Sequence, residues 1–422
     1  MRFSPVAAWS AAVLLFLAPA VNLVWRGGTG YIFFALLAMA LYMAVRHGHV
    51  TGYFSALRDY PWYVAGMCCL LLAVIVQQLV DGIWMPRQFD AYSRFALAIP
   101  IFLMLRQMPA RYFRALGWGC AVGALILGAL ALAYRPAGGW TDADRLNNDY
   151  TNAIPYGDTA LLLAFLSVFT IGWDGKYRKL AACLKFVALV AGGYSSYSSG
   201  TRGGWVAIPL FVVMLGVQYG WFANVKRLAA GLAIVVLGTA ALLSTPRIEQ
   251  RIHDFRADVS LFSRGDPNSS TGLRLELWRA SAHLFTLHPI YGVGKGRLES
   301  SLDQLAKQGY TPRAIVNERA HSDFFSTLAE SGAIGIASLF ILYYGSTVYF
   351  WRRRHSTDAF IRTAAWSGMA VSTSTIIFGL TIDVLVPIMV TVLVALLIAA
   401  FLAAIDARQR EIDARPGQVD AS

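Results

Sequence analysis

Charge is scarce in this sequence. Only 14% of its 422 residues are charged while 57% are hydrophobic, which excludes a string of soluble domains and places the chain in a bilayer. Cysteine is also scarce. Cys68, Cys69, Cys120 and Cys183 all lie inside apolar runs, none at metal-ligand spacing, so a secreted disulfide framework is excluded and a packing role remains. No small-residue cleavage site follows the first apolar run, Ala8 to Trp25, so this run reads as a retained helix despite the Arg2 before it. No repeat or low-complexity tract stands out, and the closing PGQVDAS reads as a solvated tail. The net charge of +12 is spread as small clusters between apolar runs. That pattern argues against a nucleic-acid partner and for membrane topology.

What the sequence has in abundance is apolar runs of the length that carries a helix across about 30 Å of hydrocarbon. They fall near 8–25, 30–45, 62–80, 91–105, 115–134, 155–173, 180–198, 204–222, 228–244, 321–348, 360–381 and 385–404. The expectation is an all-α polytopic membrane protein of about twelve transmembrane helices. Nine helices fall in 1–243, a loop domain in 244–320, three helices in 321–406 and a cytoplasmic tail in 407–422. Every second connection is basic: Arg46 and Arg58; Arg106, Arg111 and Arg114; Lys176, Arg178 and Lys179; Lys226 and Arg227; Arg352, Arg353 and Arg354. By the positive-inside rule these loops, both termini and the tail with Arg408 and Arg410 face the cytoplasm. Trp25, Trp62, Trp173, Trp221 and Trp351 stand at span ends, where amphipathic rings prefer the headgroup layer.

The opposite, outer side holds the irregular sequence. Its longest piece, Ser244 to Ala320, exceeds the roughly 12–15 residues at which a structureless connection is unexpected, so it should contain helices and a function. Leu273, Leu277, Leu284 and Trp278 are spaced as an amphipathic helix that packs onto the membrane domain. HPIYGVGKG, His288 to Gly296, reads as a turn.

Ionisable residues at membrane depth cost about 2.5–3.5 kcal/mol on insertion scales, so each on this side is a candidate. Arg87 precedes the fourth span and Arg94 lies just inside it, where it either snorkels, pairs with Asp90 one turn earlier, or serves a site. Arg145, Asn152 and Asp158 bracket the start of the sixth span, and Arg264 lies in the long loop. Asp383 joins the last two spans. Arg202 sits in SSGTRGGW, where Gly200, Gly203 and Gly204 free the backbone to approach a ligand; the alternative is a turn touching headgroups. Arg274 is either an anion ligand or part of a solvated helix face. Two or three arginines beside Gly-rich backbone suit a diphosphate, whose oxygens accept the guanidinium fork. His321, in NERAHSDFFSTLAESG, reads as a capped interfacial residue or as a base. At a helix N-terminus the macrodipole disfavours imidazolium, and Asn317 and Glu318 are placed to orient the ring. Phe324, Phe325 and Leu328 would face inward, with Gly332 and Gly335 admitting a close neighbour.

HSDFFSTLAESGAIG resembles the motif of the O-antigen ligase and polymerase superfamily, SSGTRGGW its Ser-Arg-Gly segment, and TGLRLELWRASAHLFTLHPIYGVGKG its long periplasmic loop. Thr201 departs from the serine usual before the arginine. The resemblance covers about 130 residues and agrees in order, spacing and expected side of the membrane. It implies a GT-C-like membrane glycosyltransferase, inverting and metal-independent, with no cofactor. The implied donor is an undecaprenyl-diphosphate-linked glycan and the implied acceptor the lipid A core, at the periplasmic face of the bacterial inner membrane. Carried over by position, His321 would deprotonate the acceptor hydroxyl, and Arg202 and Arg274 would bind the diphosphate, with Arg94, Arg145, Asn152, Glu318 and Asp383 in support. A single dominant outer loop favours ligase over O-antigen polymerase or protein O-oligosaccharyltransferase. A lipid-linked glycan transporter is the non-enzyme alternative; no matching pair of broken helices marks two halves, and the polar residues collect at one face.

Overall fold

The computed structural model describes residues 4–47, 53–141, 143–223 and 269–414, with the single residues 226, 229, 231 and 258. Among the described residues every regular element is helical. In chain order they are α1 (Pro5–Ala20), α2 (Gly28–His47), α3 (Pro61–Asp81), α4 (Asp90–Leu105), α5 (Arg114–Ala133), α6 (Ala153–Phe169), α7 (Arg178–Ser198) and α8 (Ala207–Gln218). Then come α9 (Ser270–Leu287), α10 (Leu298–Lys307), α11 (Asp323–Gly345), α12 (Thr347–Arg353), α13 (Ala359–Gly379) and α14 (Ile388–Asp413).

The chain is a polytopic helical membrane protein. Seven helical stretches, Gly28–Arg46, Pro61–Asp81, Ala110–Ala133, Ala153–Trp173, Gly175–Ser198, Asp323–Arg353 and Ile388–Asp413, are long and apolar enough to cross a bilayer. Pro5–Ala20 and Gly203–Gln218 are apolar but shorter. A helix lies over every expected run except the ninth, near 228–244, of which only residues 229 and 231 are described; Arg264 lies outside the described residues.

The connections collect at two ends. At one, Arg106 binds Asp406 through Nε at 2.7 Å, Tyr60 donates to the same carboxylate at 2.8 Å, and the Trp173 indole donates to the Phe360 carbonyl. At the other, Thr201 donates to the Ala153 carbonyl and the Leu385 amide to Asp323. Of the basic connections, those with Arg58, Arg106, Arg178 and Arg353 belong to the first end. Buried pairing there, with Lys185 on Asp174 at 2.7 Å, compensates for charge held away from water.

α14 is apolar on all sides, and its residues from Val390 to Ala407 are buried among its neighbours, as such a helix must be. Packing elsewhere uses small residues, because lipid offers helices no hydrophobic reason to associate. A Cβ on Gly66 of α3 would fall 2.9 Å from the Ile341 carbonyl oxygen of α11. Cys120 is buried, whereas Cys183, expected to pack, is exposed. It shares α7 with exposed Leu180, Leu184 and Val187, a face apolar enough for lipid.

A second, smaller core joins α9 and α10 to the start of α11 through Leu277, Leu284, Leu298, Leu302, Ile315 and Ala329. The expected amphipathic helix is therefore present. Ser269 caps it by accepting from the Gly272 amide at 3.1 Å.

Candidate functional site

The histidine of the 317–332 stretch sits two residues ahead of α11, with Ser322 between them. Asp323, the first helical residue, is buried and accepts from the Leu385 amide and the Tyr343 hydroxyl, both at 3.1 Å. One turn on, the Ser326 hydroxyl donates to Asp383. The first turn of α11 is thus tied to the connection between α13 and α14.

On its N-terminal side, the Ala320 carbonyl accepts from the Trp278 indole at 2.9 Å, and that ring stacks on Phe325 with centroids 4.9 Å apart. Held at both sides, His321 takes φ 51°, a left-handed conformation found among the described residues at no other non-glycine position. Such backbone stores about 1–3 kcal/mol and persists only where the surroundings enforce it. Its Nε2 lies 3.3 Å from the Glu318 carboxylate, while Nδ1 is enclosed with no hydrogen-bond partner. With Glu318 accepting from Nε2–H, the lone pair resides on Nδ1.

Arg274 precedes Trp278 by four residues on α9, so the two share a face about 6 Å apart along the axis. The indole that fixes Ala320 therefore brings the arginine's face to the histidine segment. Arg274 is half-buried, and burial lowers its guanidinium below the ordinary value. It forms no ion pair among the described residues. Arg202 is exposed and opens the turn Gly203–Val206. That turn packs closely: a Cβ on Gly203 would meet the Thr381 side chain, and one on Gly204 would meet Asp158. The turn of Arg202 and the first turn of α11 thus rest on one connection, residues 379–385.

The remaining candidates divide. Arg94 forms an ion pair with Asp90 and lies over the Phe34 ring, 4.8 Å from its centroid; of its alternatives, pairing one turn away is what occurs. Arg145 donates to the Ser199 carbonyl at 2.7 Å, tying its loop to the end of α7. Asn152 caps α6 by accepting from the Ile154 amide. Asp158 is buried with neither carboxylate oxygen hydrogen-bonded. Asp383 is also buried, which lifts its carboxyl above the ordinary range, partly offset by the Ser326 hydroxyl and Lys295. No contact joins Asn317 to the histidine ring among the described hydrogen bonds.

Sequence reasoning missed the element that fixes α11 from within. The run read as one continuous helix is broken at Gly332, whose φ 61° and ψ −153° only glycine adopts readily. The 289–296 turn fills the break. The Val293 and Gly294 amides donate to the Ala329 and Glu330 carbonyls at 2.9 and 3.0 Å, and the Ala333 amide to the Pro289 carbonyl at 2.9 Å. A Cβ on Gly332 would fall 2.6 Å from the Ile290 carbonyl oxygen. Glu330 holds Lys295 at 2.5 Å and accepts from the Gly296 amide at 3.0 Å; Gln77 of α3 accepts from the Lys295 amide and donates to the Glu330 carbonyl. Burial alone would lower the Lys295 ammonium, but the Glu330 carboxylate outweighs it and holds the group above its ordinary value. Glu330 did carry a signal, a carboxylate inside an apolar run.

Beside these elements lies a polar cleft of about 420 Å³ between the start of α4, the 295–299 turn, residues 317–319 and the start of α14. Among the described residues no group of three or more His, Cys, Asp or Glu is arranged to hold a metal ion. The arrangement offers an imidazole whose ring is oriented by Glu318, and guanidinium groups on two neighbouring segments.

Residues 187–340 match the model of a protein family described as O-antigen ligase. The chain is also 27% identical over 285 residues to an uncharacterized protein of Haemophilus influenzae, in an alignment covering 66% of this chain and 69% of that one.

Proposed function

We infer, for a chain whose residues 187–340 belong to the O-antigen ligase family, that it transfers a glycan from undecaprenyl diphosphate to a sugar hydroxyl of the lipid A core. Family members are glycosyltransferase-like, and the specific reaction is our reading. Basic residues in alternate connections support a topology of about twelve spans with both termini cytoplasmic. On that topology 244–320 is a periplasmic loop domain, the spans fall in 1–243 and 321–406, and the reaction occurs at the periplasmic face of the inner membrane.

The observation that carries the reading is His321. Its backbone is held at φ 51° between α9, which bears Arg274, and the connection against which the Arg202 turn packs. The acceptor hydroxyl gives its proton to the His321 imidazole while its oxygen bonds to the anomeric carbon. The bond from that carbon to the diphosphate breaks with its electron pair on the leaving oxygen, where Arg202 and Arg274 neutralise the developing charge. Attack opposite the leaving group inverts the anomeric centre.

Transfer is tested with purified protein, undecaprenyl-diphosphate glycan and lipid A core in the presence of EDTA, comparing wild type with His321→Ala. Glycosylated core from wild type, and at least about 100-fold less from the variant, is expected for a general base. Longer glycans on the lipid carrier with unmodified core would make the protein a polymerase. Full activity without His321 would remove the base.

A further inference from the structure

The cleft beside residues 317–319 is not used by the diphosphate arginines. Arg87 and Gln88 ahead of α4, Lys295, Glu299 and Asn317 to Arg319 line its polar part. Leu385, Val386 and Ile388 line the other. Lys295 is already neutralised by Glu330. That leaves the two exposed arginines, Arg87 and Arg319, as cations directed to solvent-accessible space, and neither takes part in an ion pair among the described residues.

We propose that this cleft seats the acceptor, as the phosphate-bearing sugar head of a membrane-anchored glycolipid gripped by Arg87 and Arg319. The proposal rests on the transferase reading above. Three observations converge on it.

The first is position. Asn317, Glu318 and Arg319 form one wall, and the chain runs from that wall within two residues to His321. No residue of α9 lines the cleft, so the diphosphate arginine on α9 and the cleft reach the histidine from different elements. An inverting transfer requires that separation, because the attacking oxygen and the leaving diphosphate occupy opposite faces of one carbon.

The second is chemistry. Guanidinium forks match phosphate oxygens in bidentate fashion, while the Glu299 and Glu318 carboxylates and the Asn317 amide suit sugar hydroxyls. The volume, about 420 Å³, is within the range of small-ligand sites and admits a sugar or two.

The third is access. Ile388 is exposed at the first residue of α14, and Leu385 and Val386 lead to it. An apolar wall that continues onto a membrane helix lets a lipid-anchored head enter sideways while its acyl chains stay in the bilayer.

The test separates binding from transfer. Lipid A core in nanodiscs is titrated onto wild type, Arg87→Ala and Arg319→Ala without donor, using core carrying its phosphates and core from which they have been removed. Each exposed arginine should contribute a charge-assisted contact, so phosphorylated core should bind each variant about tenfold more weakly. Dephosphorylated core should bind wild type as weakly as the variants do, and the KM for the lipid-linked donor should be unchanged. Arg87→Lys should recover only part of the affinity, because the fork is lost while the charge stays. Equal binding of both cores to wild type, or variants that bind phosphorylated core as tightly as wild type, would overturn the assignment. Core that binds wild type with the expected phosphate dependence yet yields no product would instead overturn the ligase reading and leave the cleft intact.

Discussion

At the scale of single residues, His321 combines a strained backbone with an imidazole whose Nδ1 meets no partner. Strain kept at a side chain with an unpartnered buried nitrogen is a sign of function, and removing it should reveal the trade. Replacement of His321 by glycine, which adopts φ 51° freely, should leave the melting temperature in detergent unchanged or raised while abolishing transfer. A fall of several degrees would show that the histidine holds the fold instead. Arg202→Lys and Arg274→Lys should each lower kcat/KM about tenfold or more although charge is retained, since an ammonium cannot reproduce the two-pronged contact. Wild-type rates in both would remove the diphosphate from these positions. Such residues are visible in the sequence because ionisable groups in apolar surroundings are costly. Whether a partner waits in space is not visible, as Arg106 and Asp406 show: they pair across 300 positions.

At the scale of elements, α11 depends on a contact that local composition does not encode. Ser331, Gly332 and Ala333 are compatible with a continuous helix, and the break exists because the 289–296 turn donates to the carbonyls it frees. Long-range backbone pairing of this kind leaves only the glycines as a trace. The Lys295–Glu330 pair locks the turn in place with 9% and 8% side-chain exposure. Removing one member leaves an uncompensated buried charge, so Lys295→Met or Glu330→Met should destabilise by about 3–5 kcal/mol. The double substitution should recover much of that loss in thermal unfolding, and additive losses would show the two do not act as a pair. The amphipathic α9, by contrast, was legible from spacing alone, since Leu277 and Leu284 recur on the buried face.

For the molecule as a whole, hydropathy was enough to read an all-helical membrane protein, because every buried backbone group in lipid must be satisfied within its own helix. Charge in alternate loops set the expected orientation. A single cysteine introduced at Lys307, whose side chain is 66% exposed, should react with an impermeant maleimide added to intact spheroplasts. One at Arg353 should react only after permeabilisation, and the reverse pattern would invert the topology. What hydropathy could not supply is how the spans gather, so the meeting of the Arg202 turn and the histidine segment on residues 379–385 had to come from the structure.

The docking of the 289–296 turn into the break of α11 also defines what can be exchanged between relatives. A chimera that swaps only the loop before His321 would bring a foreign turn to the Gly332 gap. One that swaps only the helix would bring a foreign gap to the native turn. Residues 288–334 carry both halves of that contact, and Gln77 of α3, which binds both, would have to travel with them.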